Sequence, residues 1–371
     1  MEEGFTYDVV ILGGGVAGCA TAIALKNHQE SLKIAILERD GFVGEAFRVG
    51  ETLPPHAGQQ LQHLGIFENF NALGFNRSFG TSSAWGSSEL KTNEFLFSPF
   101  GYGWNIDRGL FDQFMINEAK SKGVTFFHKT SCYDAAWEGE KWNLKCKQDG
   151  KEKQFIAKFV VDATGKKSAF SKLQGASKLV KDQLIGIYRY YSLKNIPKTD
   201  LQYGTCIETN SMGWWYSATL PNDTLVLSYL TDADIANDFQ FRKTEVFDDL
   251  MKDSNYTFKR IKGAEVISEI KVVAAHTQYL NNVVGKGWLA VGDAASSYDP
   301  ISSLGIFKSL IMSRFAAFSI CDNLKGDVNA LKKYEHIVKQ DFEAYQSKKT
   351  AYYNQEIRFK NHFFWKRRQS F

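Results

Sequence analysis

The first apolar run, Tyr7 to Leu12, is β-branched and stops at glycine, so it predicts a strand buried on both sides. Val16 to Asn27, rich in Ala, predicts a helix, and Lys33 to Leu37 is a second apolar run of strand length. Together they make a β-α-β unit at the N-terminus. Pro54-Pro55 suits the start of a helix over His56 to Leu64. Alternation over Phe79 to Phe97 predicts sheet. Apolar residues at 110, 111, 114, 115 and 119 give Arg108 to Lys122 a helical period. Val124 to Gly150 reads as strands and turns, and Phe159-Val160-Val161 is a short strand running into Asp162.

From about residue 180 to 280 the texture changes. Leu184 to Leu193, Trp214 to Leu220 and Thr224 to Leu230 are short, aromatic and β-rich, with turn-formers such as Pro221-Asn222-Asp223 between them. This predicts a second, sheet-based lobe. Trp288 to Val291 is again a buried strand, ending at Gly292-Asp293. Ser302 to Asp322 carries Leu304, Phe307, Ile311, Phe315 and Phe318 at helical spacing, with Ile306 and Leu310 beside them, which predicts a mostly buried helix. Val328 to about Tyr353 predicts a long helix. Nucleotide-type elements at both ends and in the middle mean that the two lobes interleave. The expected division is 1–75, 100–180 and 280–325 for one lobe, 76–99 and 181–279 for the sheet lobe, and 326–371 for a helical C-terminal region.

Composition narrows the class. The chain has 371 residues, of which 44% are hydrophobic and 23% charged, as in an ordinary globular protein. Such a chain buries a large core without disulfides or metals. Lys plus Arg is 45 and Asp plus Glu is 41, and a net charge of +4 gives no argument for nucleic acid or membrane as a partner. Five cysteines, without a CxxC pair, and scattered histidines predict neither a disulfide framework nor a metal site. An acidic start and no uncharged run of about 18 residues predict a cytoplasmic protein. Aromatics reach 14%, which fits a Phe-rich core or an aromatic-lined cavity.

The first chemistry-bearing motif is Gly13-Gly14-Gly15-Val16-Ala17-Gly18, a G-x-G-x-x-G between a strand and a helix. Gly13 permits the tight turn, Gly15 lets backbone approach a pyrophosphate, and Gly18 lets helix pack on strand. The helix start offers free N–H groups to phosphate. Glu38 ends the second strand, where a carboxylate accepts from ribose hydroxyls.

Three more segments stand with it: Gly50-Glu51-Thr52-Leu53-Pro54-Pro55; Asp162-Ala163-Thr164-Gly165 with Ser168; and Gly292-Asp293-Ala294-Ala295 with Asp299-Pro300 and Gly305. In this order the set resembles the FAD-dependent monooxygenase and flavin-dependent halogenase superfamily. The resemblance implies an α/β fold, with a Rossmann-type, glutathione-reductase-like FAD-binding lobe, an interleaved β-sheet substrate lobe and a helical C-terminus. It implies FAD as cofactor and molecular oxygen as co-substrate. It places Asp293 at the ribityl or diphosphate region and Gly305 at a helix start facing the isoalloxazine, where a partial positive charge favours an anionic reduced flavin. Arg48 and Arg108 resemble arginines that line FAD, and Arg39, Gly165, Pro300 and Leu304 fall in the same cofactor-binding segments. Reduction comes from NAD(P)H or from a separate flavin reductase.

Within that superfamily, tryptophan halogenases have a lysine eight residues before a tryptophan. Here the tryptophan is Trp85 and the earlier residue is Arg77, whose guanidinium is a poor replacement for an amine. Their G-W-x-W-x-I-P segment is only echoed by Gly213-Trp214-Trp215-Tyr216-Ser217-Ala218-Thr219-Leu220-Pro221. Gly50 to Ile66 and Gly213 to Pro221 instead are similar to the flavoproteins that mature lysine and glycine oxidases containing cysteine tryptophylquinone. That resemblance implies ring oxygenation of a tryptophan side chain in a precursor of a quinone-cofactor amino-acid oxidase. Flavin-dependent halogenation, hydroxylation of a small aromatic molecule, reduction of an isoprenoid double bond and a flavin-binding maturation chaperone remain the alternatives. His56, Arg77 and Trp215 are the catalytic candidates. Trp85, Trp104, Trp214, Trp215 and Tyr216 either wall a pocket or pack a core. The tail, with Arg358, Lys360, Lys366, Arg367 and Arg368 among Phe363, Phe364 and Trp365, either docks a partner or packs on its own lobe.

Overall fold

The structure, a computed structural model, describes residues 5–41, 49–95, 98–197 and 204–369. The chain opens with β1 (Phe5–Leu12), α1 (Val16–His28) and β2 (Ile34–Leu37), and continues through α2 (Arg108–Ser121), β3 (Thr125–Phe127) and β4 (Lys151–Asp162). β5 (Leu184–Ser192), β6 (Thr205–Asn210), β7 (Gly213–Leu220) and β8 (Thr224–Asp232) follow. The chain then returns with β9 (Trp288–Ala290), α3 (Gly305–Leu324) and α4 (Ala330–Asn354).

β1 pairs in parallel with β2 and with β4; β2 pairs with β3, and β4 with β9. The order is β9-β4-β1-β2-β3, so their C-terminal ends share one edge. Val9, Val10, Ile11 and all of β2 are buried, as a parallel sheet covered on both faces requires. The strands Thr130–Glu138 and Lys141–Gln148 extend this sheet by an antiparallel meander onto β4.

The second sheet is antiparallel through β5-β8-β7-β6 and gains Gly80–Ala84, which pairs in parallel with β6, and then Lys91–Glu94. An early segment thus completes a sheet built mostly from the middle of the chain. Residues opposite one another share a face. Tyr188, Ser228 and Tyr216 lie on one face with Tyr190, Val226 and Ala218, and Val49 packs there. Trp215 and Tyr229 lie on the other, against Phe247 of the helix Thr244–Lys252. This helix and Tyr256–Ile261 are additions to the expected sheet-based lobe that the sequence pattern did not single out. Phe247 and Met251, four residues apart, are its buried positions.

α3 also departs from its expected face. Phe315 is 38% and Phe318 42% exposed, whereas Ile306, Leu310, Ser313, Ala317 and Ile320 are buried. Small residues decide this, because they let α3 approach α1 closely enough for the Ser313 hydroxyl to donate to the Ala17 carbonyl at 2.9 Å. The tail packs on its own lobe. Trp365 is fully buried and donates from Nε1 to the Asn210 carbonyl at 2.8 Å. Arg368 pairs with the buried Asp232, Arg367 with Asp232 and Asp234, and Arg358 with Glu356. No helix among the described residues is long and apolar enough to cross a membrane.

Trp365 leaves a large cavity if truncated. Trp365→Ala is expected to lower stability by about 3–5 kcal/mol, seen as a lower denaturation midpoint at unchanged slope.

Candidate functional site

The shared edge of the first sheet collects three turns. At the end of β1, Gly13 has φ +109°, and a Cβ there would overlap the Ala163 carbonyl oxygen. A Cβ on Gly18 would overlap the Gly13 carbonyl oxygen, so α1 and the strand end touch backbone to backbone. Gly15 is the N-cap of α1 and has no side-chain cap, and a Cβ on it would meet nothing within 4 Å. The first turn of α1, from Val16 and Ala17 onward, therefore starts with no side-chain cap and with space beside its N-cap. Glu38 accepts from the Gly14 N–H at 2.6 Å and the Asp40 N–H at 2.9 Å. Arg39 is exposed and paired with Asp40 at 2.9 Å.

At the end of β4, the Asp162 carboxylate accepts from Thr164 and from Ser171, fixing the turn to Gly165. The Ser168 hydroxyl donates to the Ala294 carbonyl at 2.9 Å and ties that turn to the one after β9. There Asp293 is 39% exposed, with the buried Lys308 ammonium 3.4 Å from its carboxylate. Burial pushes the Lys308 pKa down, opposed by Asp293. Pro300 and Leu304 belong to the turn that leads into α3. The α3 start has no side-chain cap, and a Cβ on Gly305 would meet nothing within 4 Å. His56 stands beside it, its ring edge-on to Phe307 at 4.2 Å. Burial pulls the His56 pKa below its ordinary 6.5, so its imidazole is neutral at neutral pH.

Between the two lobes lies a buried acid that the sequence reading passed over. Glu51 is 1% exposed, and the Tyr190 hydroxyl is 3.3 Å from it. Burial pushes its pKa up to about 7, opposed by backbone N–H groups and the Arg108 charge. Arg108 donates to the Val49 and Gly50 carbonyls at 2.8 and 3.3 Å and pairs with Asp112 at 3.2 Å, while its Nε is buried without a partner. Next along the chain, the Thr52 and Tyr216 hydroxyls lie 2.8 Å apart, joining the G-E-T-L-P-P segment to the inner face of the second sheet. Only the position of Glu51 inside that segment hinted at a role; its burial is a tertiary fact.

Other candidates fall elsewhere. Trp215 is 1% exposed and packed at 4.6 Å on Tyr229 and 5.3 Å on Phe247, on the face turned away from Thr52. It is a core residue, because β-strand alternation sends it opposite to Trp214 and Tyr216. Arg77 is exposed and lies over the Tyr102 ring at 4.3 Å. Trp85 and Trp214 do not wall an open pocket: they pack together at 6.1 Å, and Tyr353 and Trp365 pack on Trp85. Trp104 is buried among Phe67, Phe70 and Tyr102. Arg48 lies outside the described residues.

Two uncapped helix starts with open space before them, a carboxylate at the end of β2 and an orphaned Arg108 Nε fit a dinucleotide flavin running from α1 to α3. The fold and this edge define a dinucleotide-binding flavoprotein. Residues 8–177 match the family described as FAD dependent oxidoreductase. LodB of Marinomonas mediterranea, provisionally described as an FAD-dependent oxidoreductase, is 28% identical over 99% of this chain and 98% of its own. Among solved structures, the flavin-dependent halogenase CmlS superposes with a TM-score of 0.87 at 22% identity, over 99% of this chain and 68% of that one. The peptidyl tryptophan dihydroxylase QhpG, described as essential for tryptophylquinone cofactor biogenesis, gives 0.73 at 20% identity, over 99% and 79%. The chain is an FAD-dependent oxidoreductase, with the fold of the flavin-dependent halogenases.

Gly18→Val is expected to weaken FAD binding about tenfold or more, read from the flavin absorbance of purified protein titrated with FAD. Glu51 gives a pH signature. The folded chain holds the Glu51 proton up to about pH 7, whereas the unfolded chain releases it near 4.5, so stability from this group falls as pH rises between those values. Glu51→Gln is expected to lack that fall and to exceed the parent at pH 8 by up to about 3 kcal/mol in urea unfolding.

Proposed function

We propose that this protein is an FAD-dependent monooxygenase that oxygenates a tryptophan side chain of a precursor protein during the making of a cysteine tryptophylquinone cofactor. One observation carries the reading: the match to LodB runs end to end in both chains. The QhpG fold, seen in an enzyme that acts on peptidyl tryptophan, supports it. The FAD lobe is drawn from 1–75, 100–180 and 280–325, the substrate lobe from 76–99 and 181–279, and 326–371 covers their junction.

Bound FAD would supply the electrons and the activation of molecular oxygen. The chain's own residues would bind, orient and exclude water. Gly13 to Gly18 and Glu38 would hold the adenosine and diphosphate end. Asp293 and Gly165 would stand along the middle. The α3 start at Gly305 would face the ring, with Arg108 bracing the segment that leads to Glu51. His56, neutral at pH 7, would offer an imidazole nitrogen as proton acceptor beside Phe307. The reductant is NAD(P)H or a separate flavin reductase.

Halogenation is the second reading, favoured by the superposition on CmlS. Against it, the residue eight before Trp85 is Arg77 and not lysine, and it lies on the surface over Tyr102. Co-expression with a candidate quinone-oxidase precursor separates the two readings. The expected result is an intact precursor mass increased by whole oxygen atoms only when this protein is present, whatever halide is supplied. A halogen mass instead would establish the second reading, and an unchanged precursor would sink the first.

A further inference from the structure

Asp299 is fully buried in the turn that leads into α3. Three residues on one stripe of α4 converge on it. The Tyr345 hydroxyl accepts the Asp299 N–H at 2.6 Å. The Tyr353 hydroxyl donates to the Asp299 carboxylate at 2.8 Å. The Lys349 ammonium is 3.8 Å from that carboxylate and 2.5 Å from Asp182. Positions 345, 349 and 353 are four apart, so the convergence is a property of one helix face.

The grip is two-sided. The Tyr298 ring stacks on Tyr345 at 3.8 Å, its hydroxyl bonds Asp341 of α4, and its other neighbour is the Lys308 ammonium of α3, 4.2 Å from the ring centre. The other oxygen of Asp299 accepts from the Ile301 N–H at 3.0 Å, which shapes the last turn before α3. Tyr353 in turn receives the Trp214 Nε1–H at 3.3 Å, and Trp214 shares a sheet face with Tyr216. A single phenol therefore joins the turn before the flavin-facing helix to the substrate-side sheet.

We infer that Tyr353, with Tyr345 and Lys349, is a positioning residue that sets the flavin-facing start of α3 by holding Asp299, Tyr353 and Lys349 at its carboxylate and Tyr345 at its backbone N–H. This rests on the flavin ring lying at that helix start. The aligned peptide dipoles put partial positive charge there, which stabilises reduced, anionic flavin more than oxidised flavin. Moving or re-aiming the helix start changes the two affinities unequally. A purely structural residue would not do so.

The test uses the full chain loaded with FAD. Tyr353→Phe removes only the hydroxyl. Tyr334→Phe, on the same helix, removes a buried hydroxyl that donates to the Ala290 carbonyl at 2.8 Å and serves as control. Spectroelectrochemical titration gives the ratio of affinities for oxidised and reduced FAD. The expected result is a ratio changed about two- to fivefold in Y353F and unchanged in Y334F. An unchanged ratio in Y353F, or equal changes in both variants, overturns the inference while the flavin assignment stands. Parent protein that takes up no FAD overturns the flavin assignment and this inference with it. If Y353F does not fold, Y345F carries the same expectation and the same failure.

Discussion

The parallel pairing of Leu12 with Asp162, and of Asp162 with Ala290, sets where every other part of the site must go. Those residues are far apart in sequence, yet the hydrogen-bonded ladder places the turns that follow them side by side. A strand end in a parallel sheet has no hairpin to close it, so its next residues must leave across the edge. Here they leave through glycine at residues 13 and 292 and through a carboxylate-braced turn at 163–165. The ladder is what turns three short, separately unremarkable segments into a single surface. Ser168 and Ser313 then lock the turns and the helices to one another.

Local pattern made part of this legible. The N-terminal β-α-β unit, α2, α4 and the strands β5, β7 and β8 all follow from period and turn chemistry within a few residues of their observed limits. What escaped depends on neighbours distant in sequence. The bulkiest stripe of α3, ending at Phe315 and Phe318, reads as its buried face, but the helix turns its small residues inward because α1 must come close. Trp215 reads as a site residue because it sits in an aromatic run, yet alternation alone already sends it opposite to Trp214 and Tyr216. The helices in 244–261 were hidden inside a stretch whose aromatic strands dominated the reading. Glu51 and Asp299 stood in quoted motifs, but nothing local reveals that a carboxylate will be sealed from water.

Those two acids share a physical situation. Each is buried in a turn beside the FAD-binding edge, each is pushed toward the neutral form by burial, and each is opposed by cations, Arg108 for Glu51 and Lys349 with Arg368 for Asp299. Removing a cation from such a pair leaves an uncompensated charge, which costs more than the pair itself stabilises. Both acids also receive a phenol, Tyr190 or Tyr353, from outside the turn that carries them. The turns are thus held from across lobe boundaries rather than from within.

The burial of Trp365 and Arg368 carries a consequence for synthesis. These residues close the far end of the substrate-side sheet, and they are translated long after the strands they cover. Until they emerge from the ribosome, Trp85 and Asp232 lack these partners, and an aromatic, acidic hollow stands open. Completion of the lobe therefore waits for residues 365–368 to emerge, and a nascent chain stalled before them would expose a sticky patch to chaperones and proteases.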